Sequence, residues 1–447
     1  MFKWICLCLL AASCLFSKEI KTLQTSEESL KIALCHNKTV LLTKELLRKA
    51  SYGVLESYTK WLPQLEAQSA VYQTQIPQTP ILNAKTGFLS QLSLSQAVLS
   101  TDRYYGVILQ KLYKEELNII YAALINDITF RVKSAYYKVV LDQQKIVTTT
   151  ERVRLLTDLH KEMQSRYAIG ETIIYNVNQS KVALVNATAS YYEAVRDLKT
   201  DKDQLAYLMG FDPACIEVKI EGASERIPCL ESKMALAEDP GLNQTFFSEK
   251  EILYYENLSN KERPEIFKAY NSYKIAVEEV RKKKGTYFPS IDLYLNYGGD
   301  PAPWTFNASD SFTNQSMTWG AGLQLNWLLF DSFGRELSVW QLQAEAKAQN
   351  LRYQDTLQKV HQEVRHQIWN IEESLTQYVY ARSNVLLAEE MVQQAHDQFQ
   401  VGYINIFDYE ISINELAEAR LIRDKASYNL LVSYYGLLQA TGSLKHG

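Results

Sequence analysis

The chain has 447 residues, with 47 Lys and Arg against 51 Asp and Glu, and only 17 Gly and 10 Pro. With no basic surplus and no run of five like charges, the balance excludes a nucleic-acid partner. So few turn formers also exclude a string of loop-rich domains, and long regular elements are expected instead.

Residues 1–17, MFKWICLCLLAASCLFS, set Lys3 before an apolar run and then small residues, the layout of a secretory signal peptide. Two cleavage patterns compete. Ala11-Ala12-Ser13-Cys14 reads as a weak lipobox that would lipidate Cys14, whereas Leu15-Phe16-Ser17 fits ordinary cleavage before Lys18. Export leaves Cys35, Cys215 and Cys229 with no metal-ligand spacing. In an oxidising compartment, a Cys215–Cys229 disulfide and two free thiols are both open. No later segment approaches the roughly 18 to 20 apolar residues of a spanning helix. A membrane crossing would therefore use strands.

Four landmarks recur in order along the chain. Leu62-Pro63 answers Phe288-Pro289, and LSLSQAVLS (92–100) answers LQLNWLLFD (323–331). Tyr167 with Gly170 answers Phe399 with Gly402, and Leu208-Met209-Gly210 answers Ala440-Thr441-Gly442. The offset drifts only from 226 to 232 residues, so the chain is a tandem duplication. The expected organisation is a first repeat over 18–210, a linker or equatorial segment over 211–260, and a second repeat over 261–442.

Each repeat opens with a helical pattern, over 26–61 and 263–284, with apolar residues at three- and four-residue intervals ending just before a proline. Alternation follows: in SIDLYLNY (290–297), Ile291, Leu293, Leu295 and Tyr297 share one face, and Ser290, Asp292 and Asn296 the other. The period predicts four strands near 63–73, 87–98, 288–298 and 318–329, each about the ~9 to 11 residues that cross a bilayer when tilted. The segment GGDPAPWTFNASDSFTNQ (298–315) reads as an exposed loop. Trp304, Phe306, Phe312, Trp319 and Trp327 bracket one end, as an interfacial belt or as loop packing.

From 100 to 166 and from 331 to 398 there is no Pro, and no Gly beyond the first few residues. A helix of that length runs roughly 100 Å and must pair along its length. A partner follows in each repeat. Val177, Leu184, Tyr191, Leu198 and Leu205 recur every seventh residue, and Tyr409, Leu416, Leu430 and Leu437 keep the same register, with Ala187, Ala194, Leu208, Ala419, Ala426, Ser433 and Ala440 in the second seam position. This predicts antiparallel coiled-coil packing. Four amphipathic strands cannot close a barrel alone, so the chain is expected to assemble with copies of itself; three copies give twelve strands.

The order of SLKIALCHN, KERPEI, FPSIDLYLNYG, LLFDSFGR, the paired segments RYAIGE and FQVGYINIFD, and LLQATG resembles the TolC-like outer-membrane efflux proteins over essentially the whole mature chain. The resemblance implies a mixed α/β membrane protein: a homotrimer whose strands form a twelve-stranded outer-membrane barrel, continued by a helical tunnel in the periplasm. It also implies work with a periplasmic adaptor and an inner-membrane transporter, and no cofactor. It places Ile169-Gly170 and Val401-Gly402 at hairpin tips that dock the adaptor, although a glycine there is wanted by the chain reversal alone. It places Asp408, with Asn176 as its neutral twin, in a ring that narrows the channel entrance; an ordinary solvated helix residue is the plainer reading of Asp408. Ile411 stands where a second carboxylate is usual, and Glu410 lies close by but about 100° round the helix, a weak substitute. Ile404 replaces a latching arginine, so closure is expected from apolar contacts of Ile404, Ile406 and Phe407. His361 and His366 are five apart and no catalytic or phosphate-binding motif occurs, so no enzyme is expected. A structural or adhesive coiled-coil protein of the envelope accounts for the helices but leaves the four strands unexplained.

Overall fold

The computed structural model describes residues 21–23, 25–73, 86–211, 216–218, 246–299, 302–303 and 317–446. The signal segment, Cys14, Cys215, Cys229, Trp304, Phe306 and Phe312 lie outside the described residues. The chain divides into two compact units, one of 1–43, 121–264 and 357–447, the other of 44–120 and 265–356.

The element order repeats. A short strand β1 (Lys21–Leu23) precedes helices α1 (Ser26–His36) and α2 (Lys38–Thr59), strands β2 (Gln64–Gln73) and β3 (Thr86–Leu99), and helices α3 (Thr101–Ala168) and α4 (Ile174–Met209). After β4 (Ile216–Val218), which pairs in parallel with β1, come α5 (Glu249–Glu262), α6 (Pro264–Gly285), β5 (Ser290–Gly299), β6 (Ala302–Pro303), β7 (Met317–Asn326), α7 (Gly334–Gln400) and α8 (Ile406–Thr441). The two long helices run 68 and 67 residues and their return helices 36 each. None is long and apolar enough to cross a membrane, among the described residues.

In the strand-bearing unit the sheet order is β2-β3-β5-β7, antiparallel throughout, with β6 on β3. Register sets Leu65, Leu94, Leu295 and Ala321 in one row and Ala67, Leu92, Tyr297 and Trp319 in another, while Glu66, Ser93, Asn296 and Gly320 cross the opposite face. Alternation at period two therefore yields one apolar and one polar face. The apolar face is bare: Leu65, Trp319, Leu323 and Leu325 are exposed. On the polar face the Tyr294 ring lies over Gly322, where a Cβ would come within 2.6 Å of its hydroxyl.

The strand-to-helix corners are built alike. Arg335 leaves α7 to donate to Asp331, to the carbonyl of Thr286 and to that of Leu329, and lies 4.9 Å over the Tyr287 ring. Its twin Arg103 donates to the carbonyl of Lys60, the counterpart of Thr286. Only the second corner needs left-handed backbone at non-glycine residues, Ser332 (φ 55°) and Phe333 (φ 68°).

In the helical unit one expectation needs correction. The pattern over 26–61 reads as one helix, but the chain breaks at Asn37 (ψ 123°), between α1 and α2. Asn37 caps α2, its Oδ1 accepting from Thr39 and Val40, while its Nδ2 donates to the carbonyl of Leu208 at 2.7 Å. The second repeat does the same at Arg263, between α5 and α6, whose guanidinium donates to the carbonyl of Ala440 at 2.7 Å and to Glu363 at 2.7 Å. Thus α5 occupies part of the 211–260 segment and answers α1. Each break receives a left-handed C-cap glycine, Gly210 (φ 76°) against His36 and Gly442 (φ 82°) against Glu262; a Cβ would meet those backbones at 2.5 and 2.7 Å.

The predicted seam is buried at Val177, Ala187, Ala194, Leu205 and Leu208 of α4 and at Tyr409, Leu416, Ala426, Leu430, Leu437 and Ala440 of α8, and half-buried at Leu184, Tyr191, Leu198, Ala419 and Ser433. Small residues alternate with large ones, which lets the backbones approach closely.

Candidate site at the paired hairpin tips

The tip ends of hairpin one (α3–α4) and hairpin two (α7–α8), from residues 121 and 357 onward, lie in the helical unit and reverse in the same way. Gly170 (φ 81°) donates its N–H to Tyr167 and Glu171 to Arg166; Gly402 (φ 80°) donates to Phe399 and Tyr403 to Gln398. These are Schellman turns. A Cβ at either glycine meets nothing within 4 Å, so backbone conformation and not crowding selects glycine. The return helix of hairpin two is capped by Asn405, whose Oδ1 accepts from the Asp408 N–H at 3.0 Å; Ile173 leaves α4 without a side-chain cap. Around the turns Ile169, Val401 and Tyr403 are 70, 69 and 85% exposed.

Behind the turns the two hairpins share one core of Leu156, Met163, Val177, Phe399, Ile406, Tyr409 and Ile413. The Phe399 and Tyr409 rings stack at 5.4 Å, and Tyr409 Oη lies 3.1 Å from His396 Nδ1. Burial, with Glu162 and Asp158 nearby, raises the Tyr409 phenol, which stays neutral. A polar clasp crosses the same seam. Arg166 of α3 pairs with Glu162 at 2.7 Å, lies 4.9 Å over the Phe399 ring and donates to Gln400, which donates in turn to Glu162. No spacing rule announces this clasp; an i,i+4 Glu–Arg pair at the end of a helix is common surface chemistry.

The expected entrance residues part company. Asp408 is exposed on the first turn of α8. Its twin Asn176 is half-buried, donates to Thr172 Oγ1 at 2.9 Å, and lines a cavity of about 940 Å³. Glu410 does not join Asp408. It is 6% exposed and turned into that same cavity, where its Oε2 accepts from Gln179 Nε2 of α4 at 3.2 Å and its Oε1 has no partner. Burial raises its carboxyl above the usual carboxylate range, and the Gln179 donor pulls it part of the way back. Arg152 borders the cavity with its Nε on Asn414 Oδ1 at 2.9 Å, and burial lowers its guanidinium. Of the three apolar residues expected at the closure, Ile406 is 5% exposed in the shared core and Ile404 packs beside it, so these two hold the tip together; Phe407 alone is exposed. No cluster of metal-ligating side chains occurs among the described residues.

Comparison with known proteins agrees with this architecture. Residues 256–443, which make up the second repeat, match the family described as outer membrane efflux protein. No curated protein sequence matches the chain. Among solved structures, the fold is similar to the Campylobacter jejuni CmeC outer membrane channel, with a TM-score of 0.75 and 15% identity over 94% of this chain and 85% of that one. It is similar to CusC, studied for conformational changes that accompany folding and transmembrane channel formation, with a TM-score of 0.76 and 13% identity over 93% and 92%. It is also similar to the open state of the Neisseria gonorrhoeae MtrE outer membrane channel, with a TM-score of 0.71 and 15% identity over 94% and 89%.

Proposed function

We propose, for a chain whose second repeat matches the outer membrane efflux protein family and whose fold is similar to that of outer-membrane channels, the work of a passive exit duct. The observation that carries this reading is the pairing of a four-strand, two-faced sheet with two long helical hairpins in one duplicated chain. The bare apolar face suits lipid and the polar face a wet lumen. The edges at β2 and β7 would leave backbone groups unsatisfied in a bilayer, so copies must close the sheet. Three copies give a twelve-stranded barrel with an aqueous interior, whereas two would give eight strands and a filled one.

On this reading the strands sit in the outer membrane, the helical hairpins reach through the periplasm, and the tips meet a periplasmic adaptor and an inner-membrane transporter. The transporter supplies the energy, in a tripartite efflux or type I secretion system, and the duct supplies the route. The exposed Ile169, Val401 and Tyr403 offer an apolar docking surface around Gly170 and Gly402. Three exposed Asp408 carboxylates would ring the entrance and favour cations, with Asn176 leaving the other three positions neutral. Reconstitution in planar bilayers tests duct and ring together: discrete low-conductance events are expected, blocked by trivalent cations, with the block weakened in Asp408→Asn. A chain that never conducts, even with its tip loosened, is a structural coiled-coil protein of the envelope instead.

A further inference from the structure

We propose that Glu410 is a proton-sensitive clamp between the two hairpins, holding them together while it is neutral and loosening the tip when it ionises. The inference rests on the duct reading for its consequence, though not for its chemistry. Glu410 stands on α8 and its one hydrogen bond, from Gln179, comes from α4 of the other hairpin. It is buried, and its second oxygen accepts no hydrogen bond.

The cations near it are occupied. Arg152 and Arg166 of α3 both line the cavity, but the charge on Arg152, which donates to Asn414, is drawn to Glu418, and Arg166 is paired with Glu162 and bonded to Gln400. The other titratable groups facing the cavity are Glu171 and Tyr175 of the first turn region, and α7 contributes only Phe399. The remaining polar lining, Thr172, Asn176, Asn178, Asn186, Asn405 and Asn414 besides Gln179, is uncharged. An ionised Glu410 would therefore be a buried charge without a counter-ion, a costly state. The open groove beside it, about 940 Å³ and lined by the exposed Tyr175, Val182 and Phe407, offers relief: its water can reach and solvate the carboxylate once the hairpins part.

The sign follows from linkage. Burial raises the Glu410 carboxyl in the packed state, so the packed state is favoured while the group is protonated. That preference is complete at low pH and is lost as pH rises through the raised value. Gln179 donates to the carboxylate and so lowers that value; its removal moves the transition to higher pH.

Amide hydrogen exchange of the full chain in detergent, corrected for intrinsic rates and followed from about pH 5 to about pH 9, tests the clamp. Wild type should show a rise of about fivefold or more in exchange over 174–182 and 406–414, flat in Glu410→Gln and retained in Asp408→Asn. Gln179→Ala, which leaves Glu410 in place, should shift the midpoint upward. Identical pH profiles in wild type and Glu410→Gln, or a rise abolished by Asp408→Asn instead, would overturn the clamp. Conductance is read separately: a tip that loosens without altering conductance leaves the clamp standing and counts against the duct.

Discussion

Two kinds of glycine share a left-handed backbone here, and they should not tolerate substitution equally. At Gly170 and Gly402 an alanine meets open space and suffers only the backbone penalty, about 1 kcal/mol. At Gly210 and Gly442 the same methyl would drive into the backbone of His36 or Glu262, adding an overpacking cost of about 2 to 3 kcal/mol. Chemical denaturation of Gly402→Ala and Gly442→Ala should therefore rank them in that order. A second residue-level prediction concerns Asp142 of α3, fully buried at 1% exposure. Its carboxyl is pushed up to about 7, first by burial and then by the neighbouring Asp201, against the pull of Lys138 at 3.5 Å. Protonation is thus favoured by folding, and stability present at low pH is lost as pH rises through about 7. The thermal midpoint of wild type should fall as pH rises from about 4 to about 7 and level off above that, and Asp142→Asn should flatten that slope. Asp142 was invisible in the sequence because a lone Asp in a charged helix carries no sign of its burial. Asp408 and Glu410 were more legible: two steps of about 100° per residue already set them on nearly opposite sides of the helix, though nothing in the sequence tells what Glu410 would face.

The elements divide by how local their causes are. The four strands were legible because alternation at period two is local, and the seam of α4 and α8 because its seven-residue spacing is too. The break at Asn37 was not, since helix-forming sequence continues on both sides and the hydrogen bond that holds it spans 171 residues. The break at Arg263 has a local sign in Pro264, which disfavours helical backbone at the residue before it, and its bond to Ala440 spans 177 residues. Asn37→Ala should cost about 2 kcal/mol, losing a cap and leaving the Leu208 carbonyl without its side-chain donor. Arg263→Met should cost a similar amount or more, because a charge-assisted bond to Ala440 goes with it. Both are measured by urea unfolding, and an unchanged midpoint in either would mean that the break is held by packing alone. Ile406→Asp belongs with them: with Ile406 in the shared tip core, it should unfold the tip and leave no intact channel whose gate could be read.

Across the whole chain, the duplication was the most legible fact, because matched landmarks at a near-constant offset need no knowledge of contacts. The structure adds that twins do the same work: Arg103 and Arg335 at the corners, Asn37 and Arg263 at the breaks, Gly170 and Gly402 at the turns. The cross-seam clasp of Arg166, Glu162 and Gln400 and the Gln179–Glu410 bond break that equivalence, joining one repeat to the other. Their partners are 231 to 238 residues apart, beyond any sequence pattern.

The offset between repeats is 226 residues at Pro63 and Pro289, 231 at the return strands (92–100 against 323–331) and 232 at Arg103 and Arg335 and again at both tips, so five extra residues lie before the return strand of the second sheet hairpin and a sixth at its corner. The helices beyond have stayed in step, at 68 and 67 residues out and 36 back. A single residue inserted in one of them would rotate everything beyond it by about 100° and carry it 1.5 Å further, misaligning a core that both repeats build together. Drift in this lineage is thus free to accumulate at the loops and is barred from the helices, as if the two hairpins were the tines of one fork, cut to a single length.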